Sequence, residues 1–263
     1  MPLFSIATPC FNSRNTIERT IKSILCQDFK DYEYIIVDGG STDGTLDIIR
    51  KYEPLFEGRM FWKSEPDKGI YDAFNKGIER ATGLYCWNVN SDDFIEPNAL
   101  ATIASYIYKY KEDVYPVISG GMNIRREDGS IERVAISSSK EAKRSYIMDD
   151  IGIKHPATLV PKNIYDIIGV FDARFHIVGD MDWFQRAYKK EVPFLFIPNI
   201  ITNMYNGGIS NQYTMKIYKY RCEDMHMLFD KKFDNKFIRA LHYYKWKTRI
   251  ILRFAKHKIF MGE

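Results

Sequence analysis

Over residues 3–111, short apolar runs of strand type alternate with segments whose apolar residues recur at helical spacing. Leu3–Thr8, halted by Pro9, leads into Asn15–Gln27 with Ile17, Ile21, Ile24 and Leu25 on one side. Glu33–Asp38 (EYIIVD) is a β-branched run ending at Gly39-Gly40, and Asp43–Tyr52 follows as a helix that Ser41 or Thr42 would cap. Met60–Lys63 and Leu84–Val89 predict two more strands. Gly69–Ala81 and Pro97–Lys111 predict two more helices, with Pro97 in a first turn. Strands joined by helices of this length run parallel. The expected fold is therefore α/β, a doubly wound, mainly parallel central sheet with helices on both faces.

After residue 112 the rhythm changes. Val114–Asn123 and Ser130–Ala135 flank Glu127-Asp128-Gly129, a hairpin signal. Short helices near Lys140–Tyr146, Pro161–Ile168 and Asp180–Lys190 precede apolar runs at Phe194–Ile197 and Ile200–Met204, and Tyr213–Phe229 and Asn235–Lys258 read as terminal helices. The expected organisation is one domain over residues 1–210, with halves 1–112 and 113–210, followed by a C-terminal helical extension over 211–263.

The net charge of +4 is unevenly spread. Residues 236–263 hold eight Lys/Arg against one acid, a net +7, which leaves net −3 on residues 1–235. A basic tail on an acidic-leaning body argues against a nucleic-acid binder and for a local patch facing an anionic surface. Cys10, Cys26, Cys86 and Cys222 are scattered without a CxxC, as reduced thiols of a cytosolic protein are. The N-terminus lacks a basic n-region and meets Pro9 early, unlike a signal peptide, and no apolar run is long enough to span a bilayer.

In open parallel sheets ligands bind beyond the carboxyl ends of the strands. Three such ends carry polar clusters: Thr8-Pro9-Cys10-Phe11-Asn12, Asp38-Gly39-Gly40-Ser41-Thr42-Asp43 and Asn88-Val89-Asn90-Ser91-Asp92-Asp93. No GxGxxG is present, and GGSTDGT lacks the lysine of a P-loop. A diphosphate then needs another device, and Asn90-Ser91-Asp92-Asp93 offers oxygen ligands for Mg²⁺ or Mn²⁺; the same residues also fit an Asx-turn before a helix. Asp180 and Asp182 open a helix, where acids suit the macrodipole and where a carboxylate can also act as general base. His155 stands alone, with neither a metal-binding partner nor a hydrolase triad around it.

The ordered runs SIATPCFNS, EYIIVDGGSTDGTLDII, SEPDKGIYDAFNKGIERATG and NVNSDD resemble the inverting family 2 glycosyltransferases of GT-A fold, in particular the bacterial transferases of O-antigen and exopolysaccharide assembly. His155-Pro156-Ala157-Thr158, Gly169-Val170-Phe171-Asp172 and Gly179-Asp180-Met181-Asp182 with Arg186 follow in the same order, so the resemblance covers about residues 3–206. It implies a nucleotide-sugar donor, a divalent metal, and a glycan or polyprenyl-diphosphate-linked saccharide as acceptor. By position, Asp38 would accept a hydrogen bond from the nucleotide base, and Thr8, Pro9 and Phe11 would wall base and ribose. Asp67, Asp72 and Asn75 would lie near the donor sugar and ribose. Asn90-Ser91-Asp92 stands at the DxD position, which makes Asp92 a metal ligand with Asp93 and Asn90 beside it and Ser91 on the donor side. Asp180 matches the catalytic base, with His155 and Asp182 on the acceptor side.

The chain departs from the family at Asn90, at Pro156 (often Gln) and at Gly179 (often Glu or Ala), but no key carboxylate is lost. The competing readings are a catalytically silent binding or scaffold protein on this fold and a metal-dependent nucleotidyltransferase, whose Gly-rich basic N-terminal loop is not seen. In the tail, Phe237, Leu241, Tyr244, Ile251, Ala255 and Ile259 recur near helical spacing among the bases. That pattern fits a helix packed on the body, or an amphipathic helix on an anionic leaflet that would make the enzyme peripheral at the inner face of the cytoplasmic membrane.

Overall fold

The computed structural model describes residues 1–110, 114–148, 152–208 and 212–261. The C-terminal end of the expected 97–111 helix and the 210/211 and 112/113 boundaries fall at or beside residues outside this set; the start of that helix is at Ala99 behind Asn98, so Pro97 precedes the first turn. The first half alternates as expected: β1 (Phe4–Cys10), α1 (Ile17–Leu25), β2 (Tyr32–Asp38), α2 (Thr45–Tyr52), β3 (Met60–Ser64), α3 (Ile70–Arg80), β4 (Tyr85–Asn88), β5 (Phe94–Ile95) and α4 (Ala99–Lys109). The second half comprises β6 (Val117–Arg125), β7 (Ile131–Ile136), α5 (Ser139–Met148), β8 (Thr158–Pro161), α6 (Lys162–Ile168), α7 (Gly179–Lys189), β9 (Phe194–Tyr205), α8 (Met215–Lys232) and α9 (Lys236–Met261).

One sheet runs β3-β2-β1-β4-β8-β6-β9-β5, with β7 paired to β6. β1 is parallel to β2 and β4, and β2 to β3; β8 turns antiparallel to β4 and β6, while β9 runs parallel to β6. Six of the nine described strands therefore share one direction. β8 is the reversal that places a second parallel pair beside the first block.

Strand alternation divides the interior into two cores. Tyr34, Ile36, Tyr85, Trp87 and Leu159 point to the side of α1, α2 and α4, where they meet Ile17, Ile21, Ile24, Ile49, Leu100 and Ile103. Ile35, Val37, Cys86 and Val160 point to the other side, against Tyr71 and Phe74 of α3, Tyr165 of α6, Trp183 of α7 and Phe229 of α8. Helices on both faces follow directly from the period-2 alternation of strands buried on both sides.

Three departures from the sequence expectation have clear causes. β1 continues through Pro9 to Cys10, because β4 pairs only as far as Ala7↔Asn88, so no ladder bond is lost where proline lacks an N–H. The runs at 194–197 and 200–204 form one strand, whose register shifts against Ser119, Gly121 and Met122 absorb the Pro198 interruption. α2 is not capped by Ser41 or Thr42. Asp43 does that work, its Oδ1 accepting the Thr45 N–H at 3.0 Å and the Thr45 hydroxyl at 2.6 Å.

α9 packs on α8 through Tyr243, Trp246, His242 and Ile250, with the His226 and Tyr243 rings 4.1 Å apart and Tyr218 meeting Phe254 at 5.4 Å. Its opposite face exposes Phe237, Leu241, Tyr244, Ile251 and Leu252. The side chains of Lys256, Lys258 and Ile259 lie outside the described residues. Among the described residues no helix is long and apolar enough to cross a membrane.

Candidate active site

The loops beyond β1, β2 and β4 are stitched into one surface. The Asn12 N–H donates to Ser41 Oγ at 2.7 Å, and Asn12 Oδ1 accepts the Thr42 N–H at 3.0 Å. The Ser13 N–H donates to Thr45 Oγ1 at 2.8 Å, and the Ser13 and Ser91 hydroxyls pair at 2.8 Å. Arg19 of α1 donates to the Asp92 carbonyl at 2.7 Å, its guanidinium 4.0 Å from the centre of the Tyr205 ring. All three polar clusters expected to bind a nucleotide therefore share one ridge at the carboxyl edge of the parallel block.

Asp38 ends β2 fully buried. Its Oδ2 accepts the Gly40 and Ser41 N–H groups at 3.0 and 2.9 Å and the Ser64 hydroxyl at 2.6 Å; its Oδ1 accepts the Ser41 hydroxyl at 2.5 Å. Burial alone would raise its pKa, but the hydrogen bonds from Ser41, Ser64 and Cys10 outweigh it and hold the carboxyl below its ordinary value. A Cβ on Gly39 would come within 2.5 Å of Asp67 Oδ2 and 3.4 Å of the Phe11 ring. Glycine there lets the turn approach Asp67 and Phe11, and the Phe11 ring stands 62% exposed beside it. Pro9 is buried in β1. Thr8 differs from expectation: its side chain is buried, its hydroxyl accepting from Tyr34 at 3.2 Å, so it is a core residue and no ligand wall.

Asp72 caps the Lys68 N–H at 3.0 Å and pairs with Lys76 at 3.3 Å, while Asp67 caps the Gly69 N–H at 2.9 Å. Asn75 clasps the Phe171 main chain, donating to its carbonyl at 2.8 Å and accepting its N–H at 3.0 Å. In place of the expected donor contact, its amide braces α3 against the segment before α7.

At the end of β4, Asn90 Nδ2 donates to Asp93 Oδ2 at 3.1 Å, and the Asp93 carbonyl accepts from Thr20 Oγ1 at 2.5 Å. Asp93 is sealed in, its pKa pushed well up first by burial and then by the neighbouring Asp92 charge. Burial also raises Asp92, partly offset by Arg19. Asn88 Oδ1 and Asn90 Oδ1 are buried without a hydrogen-bond partner, an arrangement that costs free energy unless something supplies positive charge or a donor. Desolvated carboxylates beside the orphaned Asn90 carbonyl oxygen are donors of the hard type that Mg²⁺ and Mn²⁺ prefer. Among the described residues, no group of three or more His, Cys, Asp and Glu gathers that could hold a metal ion by itself. The residues fit such an ion through Asp92 and the Asn90 carbonyl, with Asp93 orienting Asn90. Asn88 belongs to the expected polar cluster but was given no role of its own from the sequence.

Asp180 lies in the first turn of α7. Its Oδ1 accepts the Met181 N–H at 2.9 Å and is 3.4 Å from the Tyr71 hydroxyl of α3. Burial pushes its pKa up to about 6, a value suited to a base working near neutrality. Gly179 explains itself here, since a Cβ would sit 2.8 Å from the Tyr71 ring carbons. Asp182 and His155 take structural places in contrast to expectation. Asp182 is buried in an ion-pair network with Arg186 at 2.9 Å and Lys231 at 3.0 Å, and Lys231 also reaches Asp172 at 2.7 Å. His155 is buried among Phe74, Phe171 and Phe184, and burial lowers its pKa to about 4, so it is a neutral core residue.

Residues 5–158, which hold the parallel block, its three joined polar loops and the acid pair beyond β4, match the family profile described as "Glycosyl transferase family 2"; Asp180 lies beyond the matched span. The chain is a family 2 glycosyltransferase. It is 30% identical over 217 residues to a PGL/p-HBAD biosynthesis glycosyltransferase of Mycobacterium tuberculosis, covering 80% of each chain. It is 45% identical over 92 residues to the putative teichuronic acid biosynthesis glycosyltransferase TuaG of Bacillus subtilis, covering 35% of this chain and 36% of TuaG. Among solved structures, S. aureus TarS residues 1–349 in complex with UDP-GlcNAc matches with a TM-score of 0.66 at 19% identity, over 91% of this chain and 69% of that one. The chain spans 41% of the longer TarS structure. The mannosyltransferase PcManGT of Pyrobaculum calidifontis, in complex with GDP-Man and Mn²⁺, matches with a TM-score of 0.64 at 15% identity, over 100% of this chain and 76% of that one. At these identities the solved structures bear on the fold alone, which is that of a GT-A glycosyltransferase.

Proposed function

We propose that this glycosyltransferase inverts the anomeric centre of a nucleoside-diphosphate sugar, a UDP-sugar, while transferring it to a hydroxyl of a glycan or polyprenyl-diphosphate-linked saccharide during cell-surface polysaccharide synthesis. The observation that carries this reading is Asp180, a desolvated carboxylate raised to about 6 and oriented by Tyr71. Support for the substrates comes from the surface-glycan names of the mycobacterial and Bacillus relatives and from the UDP-GlcNAc held by TarS.

Residues 1–112 bind the donor in this scheme, with Phe11 beside base and ribose and Asp67 near the ribose and donor sugar. Asp38, expected to accept a hydrogen bond from the base, is instead fully buried with its carboxylate held by Gly40, Ser41 and Ser64 beneath that turn. The donor diphosphate lies against Ser91 and the 90–93 loop. A divalent ion held by Asp92 and Asn90 would offset charge on the departing diphosphate. Residues 113–210 present the acceptor. Ionised Asp180 takes the acceptor hydroxyl proton on a carboxylate oxygen. The acceptor oxygen then forms its bond to the anomeric carbon as the bond from that carbon to the diphosphate oxygen breaks on the opposite face, which inverts the centre.

The exposed stripe of α9 docks on an anionic membrane in this reading. Phe237, Leu241, Tyr244, Ile251 and Leu252 line its outer face, with Lys245 and Lys247 to either side. Each such base near an anionic surface adds about 1 kcal/mol, and docking holds the enzyme in the plane of a lipid-linked acceptor at the cytoplasmic face.

The test is donor hydrolysis and transfer by the full chain with Mn²⁺, using UDP-glucose, UDP-galactose, UDP-GlcNAc, UDP-GalNAc and GDP-mannose. Release of nucleoside diphosphate and an inverted glycoside is the expected result. Donor binding without turnover would return the scaffold reading, and release of pyrophosphate the nucleotidyltransferase reading.

A further inference from the structure

The segment that leads into α7 is pinned from two sides by residues outside it. Asp224, midway along α8, is completely buried, and its carboxylate gathers three consecutive main-chain N–H groups. Its Oδ1 and Oδ2 accept from His176 at 3.0 and 3.1 Å, and Oδ2 accepts from Ile177 at 2.6 Å and Val178 at 3.0 Å. His176 Nδ1 lies 3.2 Å from the same carboxylate, and its ring stacks on Tyr220 at 4.1 Å. From the opposite side, the Tyr71 hydroxyl of α3 donates to the Ile177 carbonyl at 2.7 Å.

Successive N–H groups turned toward one point form a nest, an arrangement that holds an anion. Here the anion is a side chain of the same protein, carried by a helix that otherwise serves the core. Without it, three N–H groups would be left unsatisfied and the turn would have reason to open. Val178 is the residue from which α7 starts, and the Asp182 N–H already bonds its carbonyl at 3.1 Å. The register of the nest therefore sets the register of the first helical turn. A slip of one residue rotates that turn by about 100° and replaces Asp180 with Met181 in the site.

We propose that Asp224 and Tyr71 are a pair of positioning residues that fix the 176–178 turn and so aim Asp180 at the acceptor hydroxyl. The inference rests on Asp180 as the base. Neither residue is given a role in the chemistry itself.

The experiment is steady-state transfer by the full chain against pH for Asp224→Asn, Tyr71→Phe and Asp180→Asn, each with donor KM measured. Asp224→Asn is expected to lower kcat at least about tenfold with donor KM unchanged, as a displaced catalytic group does. The groups facing Asp180 are Tyr71 from α3 and Asp224 from α8, so the acid limb of the kcat profile should move in opposite directions for the two variants. It moves to lower pH when the Asp224 charge is removed and to higher pH when the Tyr71 donor is removed. A loss of kcat that leaves the limb in place in both variants, as loss of folded protein would, overturns the proposal. If Asp224→Asn does not fold, Tyr71→Phe decides the matter alone: an unchanged limb and kcat overturn it. Full turnover in Asp180→Asn removes the base reading and this proposal with it. A dead Asp180→Asn beside two wild-type profiles removes the positioning proposal only.

Discussion

The Tyr71 hydroxyl bridges two helices, reaching the Ile177 carbonyl at 2.7 Å and an Asp180 carboxylate oxygen at 3.4 Å. Tyr71 lies in the first turn of α3 with Asp72, just after the loop that holds Asp67, whereas Asp180 lies in the first turn of α7 in the second half of the chain. One phenol thus ties the first half of the chain, proposed to bind the donor, to the carboxylate proposed to act on the acceptor. The same ring occupies the space a side chain at position 179 would need, so Gly179 belongs to the same arrangement.

Turnover should rise through pH 6 and level off above it, because Asp180 must be ionised to take a proton and burial holds its pKa near 6. Asp180→Asn should lower kcat by about 10²–10⁴-fold, the usual contribution of a general base. The same variant should be more stable than the parent at pH 8. A carboxyl whose folded pKa is raised stabilises the fold in full below its unfolded value near 4, and that stability is lost as pH rises through about 6. Thermal melts at pH 4.5 and pH 8 check this, and a stability gain at pH 8 no larger than at pH 4.5 would contradict it.

Asp92→Ala should remove Mn²⁺-dependent stabilisation measured with UDP present, and Asn90→Ala should weaken it. In thermal shift with UDP, the parent melting temperature is expected to rise with added Mn²⁺ as a ligand binding only the folded state requires. An unaltered Mn²⁺ response in Asp92→Ala would place the ion elsewhere.

Asp182→Asn should cost stability, not chemistry. Its buried carboxylate accepts from the partly exposed Arg186 and Lys231, and losing such charge-assisted hydrogen bonds costs about 2 kcal/mol. Urea denaturation should show that loss, while donor KM and kcat of the folded fraction stay near parental values. A hundredfold fall in kcat with unchanged stability would return Asp182 to the acceptor side.

Replacing Phe237, Leu241 and Leu252 together by serine should release the protein from anionic vesicles and leave α9 seated on α8, since these side chains are exposed whereas Tyr243, Trp246 and Ile250 make the packing contacts. Sedimentation with phosphatidylglycerol vesicles reads the first effect and far-ultraviolet circular dichroism the second. Cosedimentation equal to that of the parent would argue that the stripe is not the docking face.

Sequence alone determined the architecture of the first half, because strand and helix periods are local: the ranges of β2, α3 and β4 and the three polar strand ends were all readable from spacing. It also singled out Asp38, Asp92 and Asp180 as candidates, because their motifs carry them. What it could not supply was the use made of each polar side chain. Thr8 and His155 look like site residues in a string of letters, yet one points into the core beside Tyr34 and the other sits in an aromatic cage. Asn75 and Asp182 lie in motifs but bond to Phe171, Arg186 and Lys231, partners far along the chain or a helical turn away. Asp224 gave no signal, being one of two adjacent acids, Glu223 and Asp224, in a helix that carries no motif. Only the packing of α8 against the 176–178 turn makes it the anchor for three main-chain N–H groups. Local periodicity decides which segments become strands and helices. Whether a polar side chain faces a ligand or satisfies a buried bond depends on what the fold brings opposite it, and that is a property of long-range contacts.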